Sequence, residues 1–372
     1  MNVLVVTWDG GGNRQPFEVV VDALVARGDT VRVISNEVHR DLYASFGASF
    51  VSLDVADKDP ATRSDLETQI GRVREVMFSP LTSRTVLQNV EDADVGLVDV
   101  VMLSAQAACE RAQLPFVSMH HTLSGASWGG TRRALHESLL PNVNEMRESL
   151  GLAPLAAYSD LHLVAAGHIV PTAAALDAVA PWPVDLTYVG PLQPADRGPA
   201  PPDLPDRFVL VSFSTTWQMQ VALLQHAIDA LSALDLPVVV TTGPSVAPSE
   251  LTASPNTIIL EQLPHRAVLD RVEVVITHAG HGTVLTSLTA GVPLVCIPQG
   301  RDQYDVASRV AATSTGIVVN ADDVGEQLLD GVRNVLGDPR FRAAATQMSA
   351  AIAEHRGVEQ ALDVIDRAAR IM

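Results

Sequence analysis

The chain has 372 residues, 47% of them hydrophobic, and 25 Lys and Arg stand against 43 Asp and Glu for a net charge of −18. That length supports two domains of ordinary size, each with its own core. The acidic balance opposes nucleic acid and anionic lipid as partners, no apolar run reaches membrane-spanning length, and two isolated cysteines, Cys109 and Cys296, read as small core residues rather than a disulfide or metal pair.

Met1-Asn2-Val3-Leu4-Val5-Val6 enters a strand without a basic leader, so the expected compartment is the cytoplasm. Residues 3–7, 15–26 and 30–34 read as strand, amphipathic helix and strand, a βαβ opening. The loop between them, Trp8-Asp9-Gly10-Gly11-Gly12-Asn13-Arg14-Gln15-Pro16, is rich in glycine. It differs from a dinucleotide fingerprint, whose third glycine would fall at Gln15, just before Pro16. A strand over 94–99 ends in the carboxylate of Asp99, a helix over 103–112 follows, and a strand over 116–119 ends at His120-His121-Thr122. In a parallel sheet the carboxyl ends of these strands line one crevice, where Asn13, Asp99 and His121 would converge. Helical segments over 63–90 and 127–150 carry Met77, Phe78, Trp128 and Met146, and further strands are expected over 159–165 and 186–189. Periodicity then vanishes in the Pro- and Gly-rich residues 190–205, which read as a linker.

A second βαβ opening occupies 208–213, 218–234 and 237–241, and a strand over 257–260 leads into Glu261-Gln262-Leu263-Pro264-His265. The run Val274-Val275-Ile276 is a buried strand that stops at Thr277-His278-Ala279-Gly280-His281-Gly282-Thr283, where two glycines let the backbone turn closely. A helix over 283–290 and a strand over 294–297 follow, and helices over 304–312, 324–336, 339–352 and 358–369 complete the chain around a strand over 315–319. The loop therefore sits at a helix N-terminus, where free N–H groups and the helix dipole favour an anion such as phosphate. His278 and Thr283 would add donors to it. Beyond the next strand, Gln299-Gly300-Arg301-Asp302-Gln303 offers a carboxylate and an amide suited to hydroxyl groups. Phosphates beside hydroxyls point to a nucleotide sugar.

The order His278, Gly280, Thr283, Gly291, Pro293, Pro298, Asp302, Gln303 resembles the donor-binding signature of the family 1 glycosyltransferases that decorate antibiotics and plant metabolites. The resemblance implies an α/β protein of GT-B architecture, two facing Rossmann-like doubly wound parallel-sheet domains with a cleft between them. It places an acceptor-binding domain at 1–192, the linker at 193–206, a donor-binding domain at 207–356 and a last helix, 357–372, that crosses back. The implied activity is inverting transfer of a sugar or deoxysugar from a dTDP- or UDP-sugar to a small-molecule acceptor. No metal ion and no cofactor beyond that co-substrate would be needed, and the chain would work as a monomer or homodimer.

By the same resemblance Ser214, Thr215, Gln262, Leu263, His278, Gly280, His281, Gly282 and Thr283 would take the nucleotide and its phosphates. Asp302 and Gln303 would take the sugar, and Gly11 and Gly12 would face the acceptor. The chain departs from its relatives at two places. Gly12-Asn13-Arg14-Gln15-Pro16 stands where the family has Gly-His-x-x-Pro, and the amide of Asn13 cannot accept a proton as the usual histidine base does. Gln262 stands where an aromatic residue is frequent, which leaves uracil or thymine open. Asp99 matches the aspartate that orients the family's histidine. The base then falls to Asp99, His121 or His120, with Asn13 orienting the acceptor. A nucleotide-sugar epimerase or hydrolase of the same fold, or a non-catalytic partner of a glycosyltransferase, are the rival expectations. Whether donor turnover requires an acceptor separates them.

Overall fold

The computed structural model describes residues 1–53, 62–124, 133–177, 183–194 and 198–371; Trp128 and residues 195–197 of the predicted linker lie outside them. Apolar runs buried on both faces suit a parallel sheet covered by helices, and the chain supplies two such sets. In the first, β1 (Asn2–Val6), β2 (Thr30–Ser35), β3 (Ser49–Ser52), β4 (Val95–Asp99), β5 (Phe116–Met119), β6 (Gly167–Val170) and β7 (Thr187–Tyr188) lie in the order β3-β2-β1-β4-β5-β6-β7. In the second, β8 (Phe208–Ser212), β9 (Val238–Thr241), β10 (Thr257–Leu260), β11 (Val272–Thr277), β12 (Leu294–Cys296) and β13 (Gly316–Val318) lie in the order β10-β9-β8-β11-β12-β13. The pairings are parallel, so Val6 stands beside both Ile34 and Val98, and Ser212 beside Thr277.

The strand order reverses between β1 and β4 in one sheet and between β8 and β11 in the other. At such a switch point the loops leave the carboxyl ends toward opposite faces and open a crevice. The two crevices face each other across a cleft of about 1170 Å³. Each sheet has its own core. Phe17, Val20, Val21 and Leu24 of the helix Gln15–Arg27 pack on Val3, Val5 and Val33, and Ala361, Val364, Ile365 and Ala368 of the helix Val358–Ala369 enter that same core. The end of the chain thus packs on the first sheet. Leu123, Ala173 and Leu176, from the first half, join the core of the second sheet beside Val284 and Leu288.

The chain passes between the sheets twice, and the passages touch. The Gly357 N–H donates to the carbonyl of Val189 at 2.9 Å. Gly190, at φ 77°, leaves no room for a side chain, because an added Cβ would lie 2.7 Å from the Cβ of His355.

Two local expectations need correction. The strand expected over 159–165 is a run of 3-10 turns, Tyr158–Leu163, and the strand that pairs with β5 comes later, at Gly167–Val170. The Asp160 carboxylate accepts the Ala157 N–H at 3.0 Å and curls the chain there. The helix expected from 218 begins at Val221, because the side chain of Gln220 turns inward to the Ser214 carbonyl and to Ser245 Oγ (3.2 and 3.0 Å) and holds the preceding residues in a loop. The edge strand Ser49–Ser52 and the helix Arg40–Phe46 are absent from the sequence reading, each being too short to establish a period. Among the described residues no helix is long and apolar enough to cross a membrane.

Candidate functional site

On the first sheet the end of β4 puts Asp99 in the interior with no exposed surface. Its Oδ1 accepts the Val101 N–H at 3.0 Å and the His121 Nδ1–H at 3.1 Å, and its Oδ2 accepts from Asn13 Nδ2 at 3.2 Å. The predicted meeting of Asn13, Asp99 and His121 is therefore present. Their roles differ. Asn13 lies in the 3-10 turn Gly12–Arg14, accepts the Gly10 N–H with Oδ1 at 2.8 Å and donates to the Trp8 carbonyl at 3.1 Å. Its amide is occupied in fixing the loop. Asp99 lies behind His121, out of reach of anything in the cleft, whereas the His121 ring lines the cleft wall. With Nδ1–H committed to Asp99, the lone pair of His121 is on Nε2. Burial works against the charged imidazole, but the Asp99 charge, its hydrogen bond and the farther Asp302 charge prevail and raise the His121 pKa.

His120 turns the other way, as successive residues leaving a strand do. Its ring is fully buried, with Nε2 3.4 Å from His168 Nδ1, and it does not reach the cleft. Gly12 lines the cleft, while Gly11, at φ 97°, lies against the second half, since an added Cβ would meet Thr216 Cγ2 at 2.7 Å.

On the second sheet β11 runs into the helix His281–Thr289, whose N-cap is Gly280. The first intrahelical bond runs from the Val284 N–H to the Gly280 carbonyl at 3.0 Å. The N–H groups of His281, Gly282 and Thr283 thus precede the ladder, and all three residues line the cleft. The glycines serve the loop differently from the sequence expectation. Ala279, not a glycine, takes the left-handed conformation at φ 65°. Gly280 is needed because a Cβ there would lie 2.5 Å from His278 Nε2, and Gly282 has nothing within 4 Å of that position, which leaves its backbone open to a ligand. Burial pulls the His278 pKa down to about 4, with the Asp302 charge opposing and the Arg301 charge assisting; burial does the same to His281, again to about 4. Both imidazoles are neutral at pH 7 and offer N–H donors rather than charge.

Ser214 and Thr215, after β8, line the cleft with Gln262 and Leu263. Ser214 Oγ is engaged by Thr216 Oγ1 (2.8 Å) and Gln218 Nε2 (2.7 Å). The Gln303 amide is committed to the loop: Oε1 accepts the N–H groups of Gln299 and Gly300 (2.8 and 3.2 Å), and Nε2 donates to Gln218 Oε1 (2.7 Å). Asp302 faces the cleft, and one oxygen accepts from Thr122 Oγ1 at 2.5 Å, a bond across the two halves. That bond sets the loop of His121 directly against the loop of Asp302.

Two cleft residues escaped the sequence reading. Gln193, assigned only to the linker, donates to the Gly282 carbonyl and accepts from Thr286 Oγ1, both at 3.0 Å, so it holds the first turn of the His281 helix. Arg301, inside the segment read for hydroxyl recognition, donates to Thr216 Oγ1 at 3.1 Å and to Gln69 Oε1 at 3.3 Å. Its signal was the basic side chain between Gly300 and Asp302.

Residues 225–364 match the family model for the erythromycin biosynthesis protein CIII-like C-terminal domain. The chain is 27% identical to 4'-demethylrebeccamycin synthase of Lentzea aerocolonigenes, over 98% of both chains. The glycosyltransferase of kitacinnamycin superposes with a TM-score of 0.81 at 22% identity, covering 99% of this chain and 98% of that one. VinC, a glycosyltransferase solved in complex with dTDP, superposes with a TM-score of 0.76 at 19% identity, over 99% of each chain. With two parallel doubly wound sheets facing across a cleft, the chain has the GT-B fold, and it is similar along its whole length to glycosyltransferases of antibiotic and natural-product biosynthesis.

Proposed function

We propose that the chain transfers a sugar from a uridine or thymidine diphosphate donor to a small-molecule acceptor, with inversion, and that His121 is the base. The observation that carries this reading is the placement of the His121–Asp99 pair and the open N-terminus of the His281 helix on one cleft, joined by the bond from Thr122 to Asp302. A dTDP complex of a structural neighbour supports a thymidine or uridine nucleotide as donor.

In the proposed step His121 Nε2 takes the proton of the acceptor hydroxyl, and Asp99 stabilises the imidazolium that forms. The acceptor oxygen bonds to the anomeric carbon. The bond from that carbon to the diphosphate oxygen breaks, and its electron pair leaves with the nucleotide. Attack from the first domain and departure toward the second place the two bonds on opposite faces of the sugar, hence inversion. The departing charge is met by the N–H groups of His281, Gly282 and Thr283 and by the neutral His278 donor, so no metal ion and no cofactor beyond the nucleotide sugar enters the reading. Asp302 accepts from sugar hydroxyls, and Asn13 holds the acceptor loop. Trp8, Met77, Val101, Leu139 and Tyr158 give the acceptor side of the cleft an apolar wall, suited to a largely apolar acceptor.

The test is donor consumption with and without an acceptor panel, in wild type and in His121→Ala. Base loss should lower acceptor-dependent turnover on the order of a hundredfold to ten-thousandfold while calorimetric binding of UDP or dTDP persists. Undiminished turnover would remove His121 from the chemistry, and donor consumption indifferent to acceptor would make the chain a hydrolase or epimerase.

A further inference from the structure

The His281 helix supplies partial charge, and the two histidines beside it are neutral, so a leaving diphosphate has little formal positive charge to meet there. The guanidinium groups on the cleft wall are placed differently. Arg14 is paired with Glu18 in the first domain, and Arg266 reaches the Pro194 carbonyl in the linker at 3.4 Å. Arg301 is held otherwise. Its backbone is in the left-handed region, at φ 55°, which residues with side chains seldom adopt. Its guanidinium lies over the loop after β8, where it donates to Thr216 Oγ1 at 3.1 Å.

The partners of Arg301 are neutral oxygens: Thr216 Oγ1 on the donor side and Gln69 Oε1 on the acceptor side. Asp302, next in sequence, turns one oxygen to Thr122 instead. A guanidinium has five N–H donors, and these two bonds leave most of them for a ligand. The bond to Thr216 sets Arg301 over the loop that carries Ser214 and Thr215, at the donor side of the cleft, and from there its charge helps keep the His278 ring neutral. The charge of Asp302 acts on Arg301 most strongly, and Arg72, which lines the same cleft from the first domain, adds a second guanidinium to this part of the wall. Gln69 is fixed in turn, with Nε2 donating to the carbonyls of Ser64 (3.2 Å) and Trp217 (3.4 Å).

We propose that Arg301 binds the diphosphate of the donor and, with the His281 helix, neutralises it as it leaves, and that Gln69 is a positioning residue which orients the guanidinium when the two domains close. This rests on the reading that the helix takes a diphosphate. It adds a formal charge that develops its full effect as the bond to the sugar breaks, and it makes that charge depend on a residue of the opposite domain. Arginine suits the task because its planar fork can hold Thr216, Gln69 and a phosphate oxygen at once.

The experiment is calorimetry of wild type, Arg301→Gln, Arg301→Lys and Gln69→Ala with UDP, dTDP, UMP and dTMP, followed by kcat and KM on the donor that is turned over. Arg301→Gln should weaken the diphosphates roughly ten- to hundredfold and the monophosphates much less, with a further loss in kcat. Arg301→Lys should keep part of the affinity. Gln69→Ala should leave diphosphate affinity within about threefold of wild type and lower kcat, a split that a merely structural role would not produce. Diphosphate affinity unchanged in Arg301→Gln overturns the inference and leaves the donor-site reading standing. If the variant loses a carboxylate-bearing acceptor instead, Arg301 belongs to the acceptor and the inference also falls. Failure of wild type to bind any of the four nucleotides would overturn both.

Discussion

Gly280→Ala is a one-carbon change whose effect can be worked from the structure. The backbone at this position, φ −61° and ψ 129°, is comfortable for alanine, so no conformational strain arises. The cost comes from the His278 ring, which would have Nε2 at 2.5 Å and Cε1 at 2.8 Å from the new methyl group. Ordinary contacts between such atoms lie near 3.5 Å, so about 1 Å of movement is required. His278 has little freedom to yield, being buried and packed edge-on against Phe213 with centroids 6.4 Å apart. Overpacking of this kind costs about 1–3 kcal/mol, and relief by shifting the loop would tilt the first turn of the helix and weaken nucleotide binding. The assay is a double-mutant cycle with His278→Ala, read by thermal midpoint and by UDP or dTDP calorimetry. With the ring removed the methyl group has space, so Gly280→Ala should cost little in that background, and the coupling should be about the overpacking cost. An equal penalty with and without the imidazole would refute the reasoning. Gly282→Ala is the internal control: inside the helix and with nothing within 4 Å of its Cβ position, it should hold or slightly raise the thermal midpoint and impair only ligand binding.

Two further expectations concern protons. The charge and hydrogen bond of Asp99 raise the His121 pKa against its burial, and a base is active only when deprotonated, so the acid limb of kcat/KM should lie above pH 6.5, the ordinary value for histidine. Asp99→Asn should lower the rate and move that limb down; an unmoved limb would assign it to another group. A second set, His120, His162 and His168, is buried, and burial lowers all three, His162 to about 3. The unfolded chain binds protons at these sites near pH 6.5 while the folded chain does not, so stability should fall as pH drops below that value. Thermal midpoints from pH 7.5 to 5 should therefore decline, and decline less in His162→Gln; a flat profile in wild type would contradict this.

What the sequence made legible follows from how strongly each feature restricts local chemistry. Parallel strands buried on both faces, such as Val272–Thr277, announce themselves as apolar runs, and the helix start after Gly280 was legible because a cap, a helix and a following proline define it together. The stretch Tyr158–Leu163 misled because Leu161, His162 and Leu163 mimic a strand while one carboxylate, Asp160, bends the backbone. The meeting of Asn13, Asp99 and His121 was readable because topology alone sends strand ends to one crevice. Their division of labour was not, since it depends on which side chain is behind which. Gln193 and Arg301 were missed for a related reason: each acts through a partner dozens of residues away, Gly282 and Gln69, which no local pattern encodes.

The touching passages at Val189–Gly190 and His355–Gly357 bear on how the molecule moves. A single tether would let the two halves swivel about any axis. Two strands of chain pinned together by a hydrogen bond act as the pin of a door, leaving one easy rotation and stiffening the rest. On such a hinge the contacts Thr122 to Asp302 and Gln69 to Arg301 would lie on the swinging edge and would break or form together. Substrate entry, screening from water and product release are then stages of one stroke, and a lesion at Gly190, far from any reacting atom, would show itself in the rate of turnover before it showed itself in affinity.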